Sequence, residues 1–248
     1  MGNEQPVVAV TGGARRVGRS IVTAFAKRGF RVALHYNSSA KAANELVESL
    51  SNDGADIHAF QADLTVARAC AELRDAVLNH FSRLDVLVNN AASFSPMGIC
   101  GGQDSAWEDA FTKSLSTNLV APVRLTRLFA DALRLSKGAV VNLCDIGGRS
   151  AWPEYALHGV SKAGLEHATK TMAVALGPAV RVNGTAPGIA IFPSDMSEAD
   201  RLSLVEKTAL NRAGTAEDIA EAVLFLATQT YTTGAILPVD GGWSIPTA

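Results

Sequence analysis

The chain has 248 residues, 48% apolar and 19% charged, with 22 basic side chains against 24 acidic ones. Such a composition fills a sizeable core and excludes a disordered chain; without a lysine- or arginine-rich block it gives no footing for a nucleic-acid or membrane-surface partner. No apolar run reaches the ~18 residues of a spanning helix and no signal-peptide stretch follows Met1; Cys70, Cys100 and Cys144 have neither disulfide nor metal-ligand spacing, so a cytoplasmic protein with no metal site is expected.

Val7 to Thr11 reads as a short apolar strand that runs into the glycine-rich turn Gly12 to Gly18. Val17, Ile21, Phe25 and Ala26 then recur at helical spacing up to Gly29. Phe30 to Tyr36 is a second strand, Lys41 to Leu50 a helix, Ile57 to Ala62 a third strand and Val66 to Phe81 a third helix. Val86 to Val88 is a fourth strand, leading into Asn89-Asn-Ala-Ala92 and an aperiodic loop from Ser93 to Gly102. One long helix, kinked by Pro122, is predicted over Ser105 to Leu135. Ala139 to Cys144 is a fifth strand ending at Asp145; after the Gly147-Gly148 turn a helix begins near Pro153 and ends near Gly177-Pro178. Val180 to Ala186 is a sixth strand, turned by Pro187-Gly188. A loop from Ile189 to Asn211 holds a helix over Glu198 to Lys207; Thr215 and Asp218 cap a last helix to Thr228, and Ala235 to Val239 is the final strand. Strand and helix alternate throughout, which predicts an α/β fold: one Rossmann-like domain over the whole chain, doubly wound on a parallel sheet of about seven strands.

A glycine-rich turn between the first strand and the first helix of such a fold is a pyrophosphate cradle, with Gly12 making the turn and Gly18 admitting the helix to the sheet. Arg16 stands where a further glycine is expected. At the end of the second strand an NAD-selective site carries an acid for the ribose hydroxyls. Here the residues are His35-Tyr-Asn-Ser-Ser39, with Arg15 and Arg16 in the adjoining turn. Arginines and hydroxyls suit a 2′-phosphate, which a carboxylate would repel, so NADP(H) is expected. The other reading of Arg15 and Arg16 is a pair of solvated loop charges.

In the fifth-strand region His158 and Lys162 are four residues apart on one helix face, with Tyr155 and Ser161 nearby and Asp145 just past the strand end. Titratable groups beside a cation beyond the carboxyl end of a strand are where open α/β proteins place chemistry.

Thr11-Gly12 with Gly18, Ala62-Asp63-Leu64, Asn89-Asn-Ala91, Asn118, Ser161-Lys162-Ala163, Pro187-Gly188 and Asp240-Gly-Gly242, in that order, resemble the short-chain dehydrogenase/reductase family over essentially the full length. Within it the chain is similar to pteridine reductases in Arg16, in Leu34-His-Tyr36, in Asn89-Asn-Ala-Ala-Ser-Phe94 and in an aspartate, Asp145, at the position of the usual catalytic serine. The resemblance implies a cofactor site of Gly12, Arg15, Arg16, Val17, Gly18, His35, Tyr36, Asn37, Ser38, Asp63, Leu64, Asn89, Ala91, Lys162, Pro187 and Gly188. In it Arg16, Asn37 and Ser38 would hold the 2′-phosphate, Asp63 the adenine amine, and Lys162 the nicotinamide ribose. Asn118 would hold a water linking Lys162 to solvent. Phe94, with Ser93, Tyr155 and Asp145, would form the substrate site, Phe94 stacking on a pterin. The plainer alternatives are that Asp63 caps the following helix, Asn118 is a polar residue of a helix surface, and Phe94 fills the core of its loop. Relatives commonly form tetramers through the fourth and fifth helices, so a homotetramer or dimer is expected.

One position departs from the family. Four residues before the lysine it places a catalytic tyrosine, and this chain has His158; the tyrosine present, Tyr155, lies seven residues before Lys162. An imidazole, unperturbed near pKa ~6.5, is a different acid from a phenol near ~10. Asp145 and His158 would then act as a proton-donating dyad, or Tyr155 would supply the proton through a water. Otherwise His158 is a satisfied polar group in a site that has lost or changed its chemistry, or it only binds substrate. The expected function is NADPH-dependent reduction of a C=O or C=N bond in a small pterin-like molecule. The alternatives are a catalytically weak NADP(H)-binding sensor or scaffold, and a ketone or 3-oxoacyl reductase.

Overall fold

Seven strands, β1 (Val7–Val10), β2 (Arg31–Tyr36), β3 (Ile57–Gln61), β4 (Val86–Asn89), β5 (Ala139–Leu143), β6 (Arg181–Pro187) and β7 (Ile236–Val239), form one parallel sheet in the order β3-β2-β1-β4-β5-β6-β7. The structure is a computed structural model that describes residues 5–100, 103–192 and 196–245. The predicted loops at 93–102 and 189–211, the first residues of the chain and its tail therefore lie partly outside the described residues.

The central strands are apolar without a break because both faces of the sheet are covered; every residue of β1 and of β5 is buried. Side chains still alternate. Val8, Val10, Val32 and Leu34 pack with Ile21 and Phe25 of α1 (Arg16–Lys27) and Val223 of α9 (Ala216–Thr228). Val7, Ala9, Leu87 and Val140 face the other way, onto Leu73 and Val77 of α3 (Ala67–Phe81) and Leu125 of α5 (Ala121–Leu128). The remaining helices are α2 (Ala40–Asn52), α4 (Asp104–Leu115), α6 (Ala130–Ser136), α7 (Ala156–Leu176) and α8 (Glu198–Val205). The chain moves outward from β1 to β3, then returns to add β4 on the other side of β1. At that reversal the carboxyl ends of β1 and β4 leave an open crevice.

The predicted helix over 105–135 is three helices, α4, α5 and α6. Between α4 and α5, Ser116–Val120 winds as a π-turn, with the Ala121 amide donating to the Ser116 carbonyl five residues back. Pro122 follows, in the first turn of α5. Proline has no N–H to give the preceding turn, and in the first turn of α5, after the widened turn, none is needed. The break after Leu128 at Phe129 carries no sequence signal; the Phe129 ring is buried against the sheet. The residues after Asp145 also differ from a plain turn: Ile146–Gly148 and Pro153–Tyr155 are short 3₁₀ segments ahead of α7. The Thr215 cap forms as read, with the Asp218 amide donating to its hydroxyl at 3.0 Å and the Thr215 amide donating to the Asp218 carboxylate at 2.8 Å.

Gly18 marks where helix and turn touch. A Cβ there would lie 2.1 Å from the Gly12 carbonyl oxygen, so the position admits no side chain. Gly18→Ala is expected to destabilise the fold by about 1–3 kcal/mol, the usual cost of overpacking, seen as a fall of several degrees in Tm.

Candidate active site

The crevice is a cavity of about 1300 Å³ that runs from Arg15, Arg16 and Ser38 past Gly12 and Ala91 to Asp145, His158 and Lys162, and on to Trp152, Trp243 and Lys207. At its centre the glycine turn is held from several sides. Gly12 has φ +62°, and a Cβ there would lie 3.0 Å from the Ala91 Cα. The Asn90 carboxamide donates to the Thr11 and Gly12 carbonyls at 2.8 and 3.0 Å, and the Thr11 hydroxyl accepts from the amides of Asn90 and Ala91. Beneath the turn lies His35, only 4% exposed. Its Nε2 lies 3.0 Å from the Ala62 carbonyl, which can only accept, so that nitrogen carries the proton and Nδ1 accepts from the Gly12 amide at 3.1 Å. His35, which the resemblance places in the cofactor site, lines the cavity and spends one ring nitrogen on Gly12 of the turn and the other on Ala62 past β3.

Arg16 has φ +51°, the left-handed conformation of the glycine it replaces, and its guanidinium reaches the Ile191 carbonyl at 3.5 Å. Arg15, Arg16, Asn37 and Ser38 are exposed at this end of the cavity, and Val17, Tyr36 and Leu64 line the wall beside them. No carboxylate stands at the end of β2. Asp63 accepts from the Thr65 amide and hydroxyl at 2.9 and 2.7 Å, contacts that hold its carboxyl below the usual range. It does not cap α3, which starts at Ala67 with no side-chain cap.

Two asparagines stand away from the cavity wall. Asn89 is buried and donates to Asn142 Oδ1 at 2.8 Å, while its neighbour Asn90 lines the cavity. Successive side chains at a strand end alternate, so one residue of register decides which asparagine faces the crevice. Asn118, in the π-turn, is fully buried; its Oδ1 accepts from the Ser93 amide at 2.7 Å, and its Nδ2 donates to the Ser93 carbonyl at 2.9 Å and the Ser161 hydroxyl at 3.0 Å. Its side chain braces the Ser93–Phe94 loop from behind.

At the end of β5, Asp145 accepts from the Gly147 amide through Oδ1 at 2.7 Å, which turns Oδ2 toward His158 Nε2 at 3.4 Å. That spacing allows charge attraction, but Nε2 forms no hydrogen bond of good geometry. The other ring nitrogen, Nδ1, lies 3.4 Å from the Ser93 carbonyl and 3.5 Å from Asn118 Nδ2. Asn118 already commits its two hydrogens to nearer acceptors, so the hydrogen bond left to Nδ1 is donation to Ser93. In the neutral ring that places the lone pair on Nε2, toward Asp145; a proton there would be held by the carboxylate.

Lys162 donates to the Leu143 carbonyl at 2.5 Å, its one protein hydrogen bond among the described residues, and keeps its other two hydrogens for the cavity. Burial lowers its pKa and the Asp145 carboxylate opposes that shift. Burial also pushes the neighbouring Cys144 thiol up to about 12, which leaves it inert. Phe94 is stacked on Tyr155 at 4.8 Å with 20° between the rings, and meets the His158 ring edge-on at the same distance. Phe94 is 55% exposed, which sets aside the alternative that it fills a loop core.

The sequence reading missed several residues. Arg149 grips Glu166 through Nε, at 2.8 and 3.0 Å to the two carboxylate oxygens, and ties the Asp145 loop to α7. Trp152, Trp243 and Lys207 line the far end of the cavity. A tryptophan in a Gly/Pro-rich stretch was the available signal, but nothing local says that positions 152 and 243 meet.

A doubly wound parallel sheet with a glycine-turn cradle at its switch point, and a buried lysine one strand away, is the architecture of a nicotinamide-dependent oxidoreductase. Residues 12–244 match the sequence profile of a family described as enoyl-(acyl carrier protein) reductase. Pteridine reductase 1 of Leishmania tarentolae is 31% identical, with 98% of both chains covered. A 3-oxoacyl-[acyl-carrier-protein] reductase FabG of Staphylococcus epidermidis is 34% identical over 94% of this chain and 96% of its own. The chain belongs to the short-chain dehydrogenase/reductase family, whose members are oxidoreductases that bind a nicotinamide cofactor and act on small molecules. Among the described residues no helix is long and apolar enough to cross a membrane.

His35 makes stability depend on pH. Burial, the largest influence, lowers its pKa to about 4 from 6.5, against the smaller raising effects of the Ala62 carbonyl and Asp63. The unfolded chain binds a proton that the folded chain refuses, so this stabilisation is complete above pH ~6.5 and is lost as pH falls toward 4, by up to about 3 kcal/mol. Urea unfolding of the wild type and His35→Asn at several pH values should show a steeper acid-side decline in the wild type.

Proposed function

We propose that the chain is an NADPH-dependent reductase of a C=O or C=N bond in a planar, pterin-like heterocycle. What carries the reading is the meeting, in one cavity, of the Asp145–His158 pair, the Lys162 ammonium and the Phe94 ring, with two arginines at the opposite end. The residues fit the cofactor. The first turn of α1 carries no side-chain cap, which leaves its amides for a pyrophosphate, and no acid at the end of β2 opposes a 2′-phosphate. When bound, NADP(H) supplies the hydride.

In this reading Arg16, Asn37 and Ser38 bind the 2′-phosphate, Arg15 adds charge, Asp63 accepts from the adenine amine, and Leu64, Ala91, Pro187 and Gly188 shape the walls. Lys162 uses its free hydrogens on the ribose of the nicotinamide half. His158 takes a proton at Nε2, with Nδ1–H held by the Ser93 carbonyl and the imidazolium stabilised by Asp145. It then donates that proton to the substrate atom that gains charge. Asn118 acts indirectly, fixing the loop that carries Ser93 and Phe94. Phe94 and Tyr155 present flat faces on which a heterocycle can stack. Val120, Val123 and Val160 are exposed apolar residues on the helices expected to build a homo-oligomer, which light scattering in solution would test.

A catalytically weak NADP(H)-binding protein remains as the second reading, favoured by His158 at the position of the family's tyrosine. A screen of NADPH oxidation over dihydrobiopterin, dihydrofolate, quinonoid pterins, 3-oxoacyl thioesters and simple ketones separates the readings; silence across the panel would favour the weak binder. His158→Ala should lower kcat by roughly 10²–10⁴-fold if His158 is the proton donor, and an unchanged rate would remove it from the mechanism. Arg16→Gly should relieve backbone strain and leave Tm equal or higher. It should also weaken NADPH binding relative to NADH by about 10- to 100-fold, the worth of one charge-assisted contact, as read by cofactor fluorescence titration.

A further inference from the structure

Aromatic residues make up only 6% of the chain, yet four of them form one continuous wall of the cavity. From Phe94 the row passes to Tyr155, then to Trp152 at 6.4 Å, then to Trp243 a further 6.2 Å on. It ends on a cation: the Lys207 ammonium lies over the Trp243 ring, 5.6 Å from its centroid. Both tryptophans are anchored against the buried group Cys144, Ile146, Leu165 and Ala186. The backbone around Lys207 is tied down as well. Leu210 donates to the Gly241 carbonyl at 3.0 Å, the buried Thr208 hydroxyl donates to the Val205 carbonyl at 2.8 Å, and the Asp240 carboxylate accepts from the Gly242 and Ser244 amides at 2.9 Å. The two turns that carry Lys207 and Trp243 thus hold each other in place.

Lys207 has no carboxylate partner among the described residues, although Glu154 lines the same cavity. The nearby Arg212, by contrast, is paired with Asp218 at 3.2 Å. We propose that Lys207 determines substrate specificity: it anchors a carboxylate carried on an arm of the substrate, distal to the ring that is reduced. This rests on the reductase reading above. A planar ring stacked at the Phe94–Tyr155 end would run its arm along Trp152 and Trp243 and reach the cation at the end of the row. The cation–π contact keeps the ammonium over the wall, so a bound carboxylate adds to an ion already placed.

Lys207→Met tests the assignment because methionine keeps an apolar stem on Trp243 and removes the charge. The probes are dihydrofolate and its dimethyl ester, which differ only in distal charge. With NADPH, Lys207→Met is expected to raise KM for the diacid about 2- to 5-fold, the range of one partly exposed ion pair, with kcat and Tm little changed. KM for the ester should stay at the wild-type value. Lys207→Glu should raise KM for the diacid further, and added salt should weaken the wild type's preference for the diacid over the ester. Equal changes for acid and ester, or none for either, would overturn the proposal. If neither compound is reduced, the reductase reading fails for this substrate class, and calorimetric titration of both into NADPH-loaded protein still decides Lys207. Tighter binding of the diacid that Lys207→Met abolishes supports the anchor; equal binding of the two by the wild type refutes it.

Discussion

The cradle depends on one buried imidazole. His35 belongs to β2, its Nδ1 accepts from Gly12 just past β1, and its Nε2 donates to Ala62 just past β3. A single neutral ring therefore fixes the ends of three neighbouring strands, at the point where the crevice opens. The Gly13 amide bonds the His35 carbonyl at 2.9 Å, so backbone and side chain of the same residue hold the same turn. Only with the turn set in this way can Gly18 lie against the Gly12 carbonyl and bring the amino end of α1 to face the crevice.

The opposite wall follows the same logic through different chemistry. Lys162 on the Leu143 carbonyl, Asp145 beside His158, and Arg149 on Glu166 join the end of β5 to α7 by three contacts at successive turns of the helix. The last is charge-assisted and half-buried, one N–H shared between two carboxylate oxygens, which makes it worth more than an exposed ion pair. Positions 158, 162 and 166 repeat at four-residue spacing, so one helix face carries the imidazole, the cation and the clamp.

Arg16 shows a local conflict of the kind that marks function. Left-handed backbone is natural to glycine, and an arginine there costs of order 1 kcal/mol or more. Among the described residues the one hydrogen bond its side chain makes is a long one, to the Ile191 carbonyl at 3.5 Å. The left-handed backbone at Arg16 is thus not offset by a short hydrogen bond among the described residues.

Much of the molecule is legible in the order of its residues. Buried strands announce themselves as unbroken apolar runs, glycines and a Thr–Asp capping pair punctuate the helices, and the four-residue step from His158 to Lys162 places both on one face. These signals are local, and local chemistry fixes them: backbone period, turn conformation and capping. What stays hidden depends on which distant segments meet. Asn90 rather than Asn89 faces the cavity because strand register, set by pairing across the sheet, decides the side. Asn118 turns inward because the Ser93 loop folds over it, and the helix is divided before Pro122 by a π-turn. The row from Phe94 through Trp152 and Trp243 to Lys207 joins residues far apart in sequence, through contacts that exist only once the sheet has been wound. Sequence by itself determined the fold class and the family; tertiary packing decided which of the candidate polar groups line the cavity and which are consumed in building the fold around it.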